Sequence, residues 1–162
     1  MDNWKYLDDE FGDELEDYSG GKDALVYLIQ ATESIGDGSL RNCLEAALST
    51  LKTKIWNSNN DLISIILFGT VHSGDKFENI QTLIPMERPE ASHILKLEML
   101  VDNPDSEIKV GNKYDLHEAL WCCQSSFSKI SGKVHSKNIL LFTSDDAPVS
   151  YTHLTLPTNR EV

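Results

Sequence analysis

An α/β fold, with a mainly parallel sheet, helices on both faces and one antiparallel hairpin, is what this 162-residue chain predicts. Three features point there. Short runs rich in Val, Ile, Leu and Phe alternate with segments whose apolar residues recur every three or four positions, the order of β–α–β units joined by right-handed crossovers. Residues 24–29, 62–68 and 139–142 are apolar almost without interruption, as strands covered on both faces are. Clusters of Gly, Asn, Asp and Pro separate the segments, and the length suits one domain of ~100 to 150 residues.

Residues 1–17 hold eight acidic side chains against Lys5 alone, a net of −7, and this arm is expected to be disordered. Tyr18-Ser19-Gly20-Gly21-Lys22-Asp23 is a turn, and residues 24–29 form a buried first strand. Leu40, Leu44, Ala47, Leu48, Leu51 and Ile55 repeat at helical spacing, giving a helix over 40–56 capped by Ser39 or Asp37 and stopped by Asn57 to Asn60. Residues 62–68 are the strongest strand, ended by Gly69-Thr70, and the alternation over 79–85 marks its hairpin partner. Ile94, Leu95, Leu97 and Leu100 predict a helix over 89–100, closed by the turn Asp102-Asn103-Pro104-Asp105. Asp115 and Glu118 make a capping box, and Leu116, Leu120, Cys123, Phe127 and Ile130 then share a helix face, with Leu120 and Phe127 toward the sheet. A buried strand follows within 137–148 and breaks at Asp145-Asp146, at the rim where α/β folds place their sites.

Bulk properties narrow the function. Fourteen basic residues face 26 acidic ones, a net charge of −12, whereas binding a phosphate backbone depends on Lys and Arg displacing counterions. Cys43, Cys122 and Cys123 show no Cys-x-x-Cys spacing and lie within predicted helices, so they are expected as buried thiols in a reducing compartment. No apolar run reaches the ~18 residues of a membrane span and the amino terminus is acidic, which leaves cytosol or nucleus. No Gly-x-x-x-x-Gly-Lys-Ser/Thr loop offers a phosphate cradle, and His72, His93, His117, His135 and His153 show no ligand spacing.

The helix order Leu116-x-x-x-Leu120-Trp121-x-Cys123-x-x-x-Phe127, followed by Leu141-Phe142-Thr143-x-x-Asp146-x-Pro148, resembles the amino-terminal von Willebrand A-like domain of the Ku family, in its smaller, seventy-kilodalton subunit. The resemblance covers residues 18–148 and implies a three-layer, Rossmann-like von Willebrand A-type sheet, incomplete at the carboxyl end. It implies a parent protein that binds DNA double-strand ends together with the larger Ku subunit, recruits end-joining factors and acts in the nucleus. This segment would be a protein-interaction platform, with duplex ends held by regions absent from it. Residues 149–162 continue no Ku pattern and resemble translated sequencing-adapter sequence, so they are expected to be a non-native tail.

A-type domains that bind a metal use Asp-x-Ser-x-Ser after the first strand, a Thr from a later loop and an Asp after the fourth strand, since a hard divalent cation needs oxygen ligands from several loops. The matching positions here are Gln30, Thr32 and Ser34, then Lys113 and Tyr114, then Asp145 or Asp146. Gln30 removes the anchoring carboxylate, so neither a metal nor another cofactor is expected. The Ku family is also associated with ATP-dependent helicase activity and with a lyase activity in which a lysine before the first strand forms a Schiff base. Glu16 and Asp17 stand where that lysine would be, leaving Lys22 as the nearby substitute; neighbouring carboxylates favour its charged form, while the chemistry needs a neutral amine. Lys22 is a solvated turn lysine on one reading and a nucleophile on the other, and enzymatic activity stays open. Two further alternatives are a stand-alone von Willebrand A-type adhesion or scaffold domain without a working metal site, and a small α/β enzyme whose site only a structure would gather.

Overall fold

The computed structural model describes residues 22–57, 60–73 and 76–144, so the acidic arm, Asp145, Asp146 and the 149–162 tail lie outside the described residues. Four strands and three longer helices run in the order β1 (Lys22–Gln30), α1 (Asp37–Trp56), β2 (Leu62–Ser73), β3 (Glu78–Glu87), α2 (Ala91–Asp102), α3 (Leu116–Ser128) and β4 (Val134–Phe142). The sheet order is β3-β2-β1-β4. β1 pairs in parallel with β2 and β4, aligning Leu28 with Ile66 on one side and with Leu141 on the other. β3 is the antiparallel edge, joined to β2 as a hairpin with three register shifts. The α/β class, the parallel centre and the edge hairpin are as expected from the sequence.

Why the central runs are apolar throughout follows from the layers. Successive side chains of a strand point to opposite faces, so a strand covered on both sides needs apolar residues at every position. Tyr27, Ile29, Ile63, Ile65 and Leu67 pack with Leu40, Leu44 and Leu51 of α1 and Leu97 and Leu100 of α2. Ala24, Val26, Leu28, Ile66 and Phe68 pack on the other face with Leu116, Ala119, Cys123 and Phe127 of α3. Each fully buried Leu or Ile contributes roughly 1.5–3 kcal/mol relative to exposure.

Polar ties hold the amino-terminal ends of the strands together. Asp61 Oδ1 accepts from the Asp23 backbone N–H at 3.1 Å while Oδ2 pairs with Lys54 Nζ at 2.9 Å, fastening the end of α1 to β1 and β2. Asp23 Oδ1 in turn accepts from Ser136 Oγ at 2.7 Å, bringing in β4. Tyr27 and Thr50 join hydroxyls between β1 and α1, and the Tyr27 ring stacks on Phe142 at 5.5 Å between centroids.

Several boundaries depart from expectation. β2 does not stop at Gly69-Thr70 but runs on to Ser73, with Gly69 at φ +88° inside the stretch where its register with β3 shifts. α1 begins at Asp37 behind Gly36, a residue at φ +78°, and neither Ser39 nor Asp37 is its cap. Asp115 does cap α3, but its Oδ1 accepts from His117 N at 2.9 Å, one residue earlier than a capping box requires. Leu120 is half-buried at the side of the stripe centred on Ala119 and Cys123, whereas Phe127 faces the sheet. β4 is not buried: Ile139, Leu140 and Leu141 are 36%, 43% and 40% exposed, since among the described residues nothing pairs with the outer edge of β4.

Candidate functional site

The carboxyl-terminal ends of β1, β2 and β4 converge on Gln30, the last residue of β1, which is 1% exposed. Its Nε2 donates to Thr32 Oγ1 at 2.6 Å and Ser34 Oγ at 3.4 Å, and the two hydroxyls lie 2.8 Å apart. Its Oε1 accepts from Thr143 Oγ1 at 2.6 Å and from the Ser144 backbone N–H at 3.0 Å. That backbone N–H fixes the amide orientation, because it can only donate and so must face the oxygen. The motif positions Gln30, Thr32 and Ser34 are therefore gathered, and the segment after β4 brings Thr143 and Ser144 beside them.

Two glycines allow this approach. A Cβ on Gly69 would stand 2.4 Å from Thr32 Cγ2, and one on Gly111 would stand 2.7 Å from Gly69 O. Gly111 inserts between the strand ends, donating to Gly69 O at 2.9 Å and accepting from Glu33 N at 2.8 Å. Tyr114, in the loop before α3, lies edge-on to Phe68 at 5.3 Å. Thr70 is 1% exposed and its hydroxyl makes no hydrogen bond to a protein group among the described residues.

A divalent cation does not fit the described part of this node. None of Gln30, Thr32, Ser34, Thr143 and Ser144 carries a charge, and Gln30 presents N–H hydrogens to the hydroxyls where a cation needs lone pairs. The amide ties the end of β1 to the segment after β4 through hydrogen bonds.

The remaining candidates lie apart from this node. Lys22 sits at the opposite end of β1, its Nζ donating to Ser131 O at 3.4 Å, so Lys22 and Gln30 form no common site. All three cysteines are free thiols, Cys43 half-buried and the other two buried. Burial pushes the Cys123 thiol up to about 12, with the neighbouring Cys122 adding to the shift, and burial likewise raises Cys43 and Cys122. Thiols held protonated are poor nucleophiles. His117 Nε2 accepts from Trp121 Nε1 at 2.7 Å.

Sequence spacing missed one cluster. Glu87, Glu90 and His93 bring ligand-type atoms within 4.8 Å of one another. His93 Nδ1 accepts from the Glu90 backbone N–H at 3.1 Å, so in the neutral ring Nε2 carries the proton and donates to Glu87 Oε1 at 2.7 Å. Both ring nitrogens are thus engaged in starting α2 and tying it to the end of β3. The signal was the Glu87-x-x-Glu90-x-x-His93 spacing, which straddles a strand end and a helix start.

Comparison with known proteins gives a consistent picture. The family described as the Ku70/Ku80 N-terminal alpha/beta domain matches residues 28–161. "ATP-dependent DNA helicase 2 subunit 1" of Rhipicephalus appendiculatus is 35% identical over 87% of this chain and 25% of that protein. "X-ray repair cross-complementing protein 6" of Mus musculus is 30% identical over 79% of this chain and 23% of that protein. The chain thus spans about a quarter of the length of these relatives. Among solved structures, the SpRpn10 VWA domain matches with a TM-score of 0.52 at 15% identity, covering 75% of this chain and 59% of that one, a likeness of fold alone.

Proposed function

Because the chain belongs to the Ku70/Ku80 N-terminal α/β domain family, we propose that it is the amino-terminal segment of the smaller Ku subunit and acts as a protein-interaction platform. The parent protein would pair with the larger Ku subunit in the nucleus, hold DNA double-strand ends, and support repair by non-homologous end joining, recombination and telomere maintenance. Residues 18–148 would be the domain, residues 1–17 an acidic arm and residues 149–162 a tail of adapter origin. Net charge carries the platform reading: at −12 the segment repels a phosphate backbone, so contact with DNA falls to other parts of the parent protein. Exposed apolar side chains such as Leu95 and Met99, four residues apart on α2, supply surface that a protein partner could cover. The helicase in the relatives' names belongs to far longer chains, and the Gln30 node supplies hydrogen bonds rather than a reactive group.

A gel shift tests this. The chain at physiological salt is expected to leave blunt duplex ends unshifted, while a full-length smaller subunit paired with the larger one shifts them. Tight, end-dependent binding by this chain alone would overturn the platform reading.

A further inference from the structure

The outer side of α3 carries a cleft of about 320 Å³ lined by Lys76, Phe77, Trp121, Gln124, Ser125 and Ser128. We propose that the chain's own acidic arm, residues 1–17, docks there, seating aromatic side chains against Trp121 and Phe77 and carboxylates against Lys76 and Lys129. This goes beyond the platform reading and does not depend on it.

Three observations select that occupant. The cleft suits an aromatic guest: Trp121 is 45% exposed although its indole N–H is already satisfied by His117, so what it leaves open is ring surface. Lys76 Nζ stands 5.6 Å from the Phe77 ring centre, placing a cation at the apolar floor. The Cys122 thiol, raised mainly by burial, is also acted on in the opposite sense by the charges of Lys129 and Lys76, so both ammonium groups serve this stretch of α3. A chain of net charge −12 therefore carries a locally basic cleft with an aromatic floor.

The arm has the complementary chemistry. It bears a net of −7 together with Trp4, Tyr6, Leu7 and Phe11. A segment that repels itself gains from neutralisation, and aromatic anchors with charged flanks are how short peptides hold clefts.

Chain connection places it within reach. Lys22, where β1 begins, has its ammonium 3.4 Å from Ser131 O, and Ser131 lies three residues beyond the cleft residue Ser128. Residues 18–21 span at most roughly 14 Å when extended, which bounds how far from Lys22 the arm can begin. Tethering at this range gives an effective concentration on the order of millimolar, so weak contacts suffice. An arm seated there would exclude any other acidic, aromatic-bearing peptide from the same cleft.

Backbone amide NMR on the 162-residue chain, with and without residues 1–17, tests the proposal. Deletion is expected to shift the Phe77, Trp121, Gln124, Ser125 and Ser128 resonances, and a synthetic peptide of residues 1–17 added to the shortened chain should restore them saturably and less well at high salt. The double variant Lys76→Glu, Lys129→Glu changes exposed positions, is expected to leave the circular dichroism intact and should weaken the peptide by roughly 2- to 30-fold, as loss of two rim charge pairs implies. Cleft resonances indifferent to deletion would overturn the proposal. So would shifts that grow with protein concentration, which would assign the cleft to the arm of a second copy, or peptide affinity unchanged in the double variant.

Discussion

Leu28 and Leu141 are cross-strand neighbours in the same register, yet Leu28 is 0% exposed and Leu141 is 40% exposed. Both sit in runs of comparable apolarity, Val26-Tyr27-Leu28-Ile29 in β1 and Ile139-Leu140-Leu141-Phe142 in β4. The difference lies in what stands on the far side. β1 has a strand on each edge and a helix layer on each face, whereas β4 has β1 on one edge and, among the described residues, nothing on the other. An apolar run states a requirement for cover, and only the neighbours meet it.

The largest test of this contrast is truncation at the centre. Leu28→Ala is expected to cost about 2 to 5 kcal/mol, the range for fully buried Leu truncations whose cavity cannot collapse. Denaturant unfolding of the two single variants would break the comparison if Leu141→Ala proved equally damaging.

Cys123 probes the same centre through pH. Its folded pKa, raised to about 12 from 9.0, lies above the unfolded value, so the stability it contributes is fully present below pH 9 and is lost as pH rises toward 12. The loss should amount to no more than about 4 kcal/mol, because each pH unit separating the folded and unfolded values is worth roughly 1.4 kcal/mol. Unfolding curves between those pH values are expected to flatten in Cys123→Ala, and an unchanged slope would mean that the thiol is not buried against the sheet.

Gln30 comes next, because it ties the centre to the edge. Gln30→Ala removes the shared acceptor of Thr143 Oγ1 and Ser144 N and is expected to cost about 1 to 3 kcal/mol. Hydrogen exchange should show protection falling first in β4 while β2 keeps its own. Equal loss in both strands would show that β4 is held by its ladder with β1 and not by the amide.

The smallest expected effect is at the edge itself. Leu140→Lys should change stability by less than about 1 kcal/mol while reducing self-association, since a charge on an apolar edge strand that is unpaired among the described residues discourages pairing with another chain. Light scattering on matched samples checks this, and a soluble, monomeric parent that the lysine leaves unaltered would remove the edge as a liability.

Much of this was legible beforehand. The alternation of segments determined the α/β class, and strand and helix existence followed from period. Asp115 marked the start of α3 because capping is a local transaction between a side chain and the next backbone amides. Gln30, Thr32 and Ser34 stand out by their spacing after the first strand, but that one amide ties both hydroxyls together is seen only in the structure.

What only tertiary structure decided concerns groups whose partners are far along the chain. Nothing in β4 says that its outer edge is unpaired among the described residues, because exposure depends on elements elsewhere. Nothing around Gln30 says that its oxygen waits for Thr143 and Ser144, more than a hundred residues away. Gly69 reads as a strand terminator until Thr32 and Gly111 are seen to crowd it, after which it is the residue whose missing side chain lets those segments approach β2. Local period and capping are written in neighbouring residues and can be read there. Burial, amide orientation and the close approach of backbones depend on which segments the fold brings side by side, and that is decided by the whole core at once.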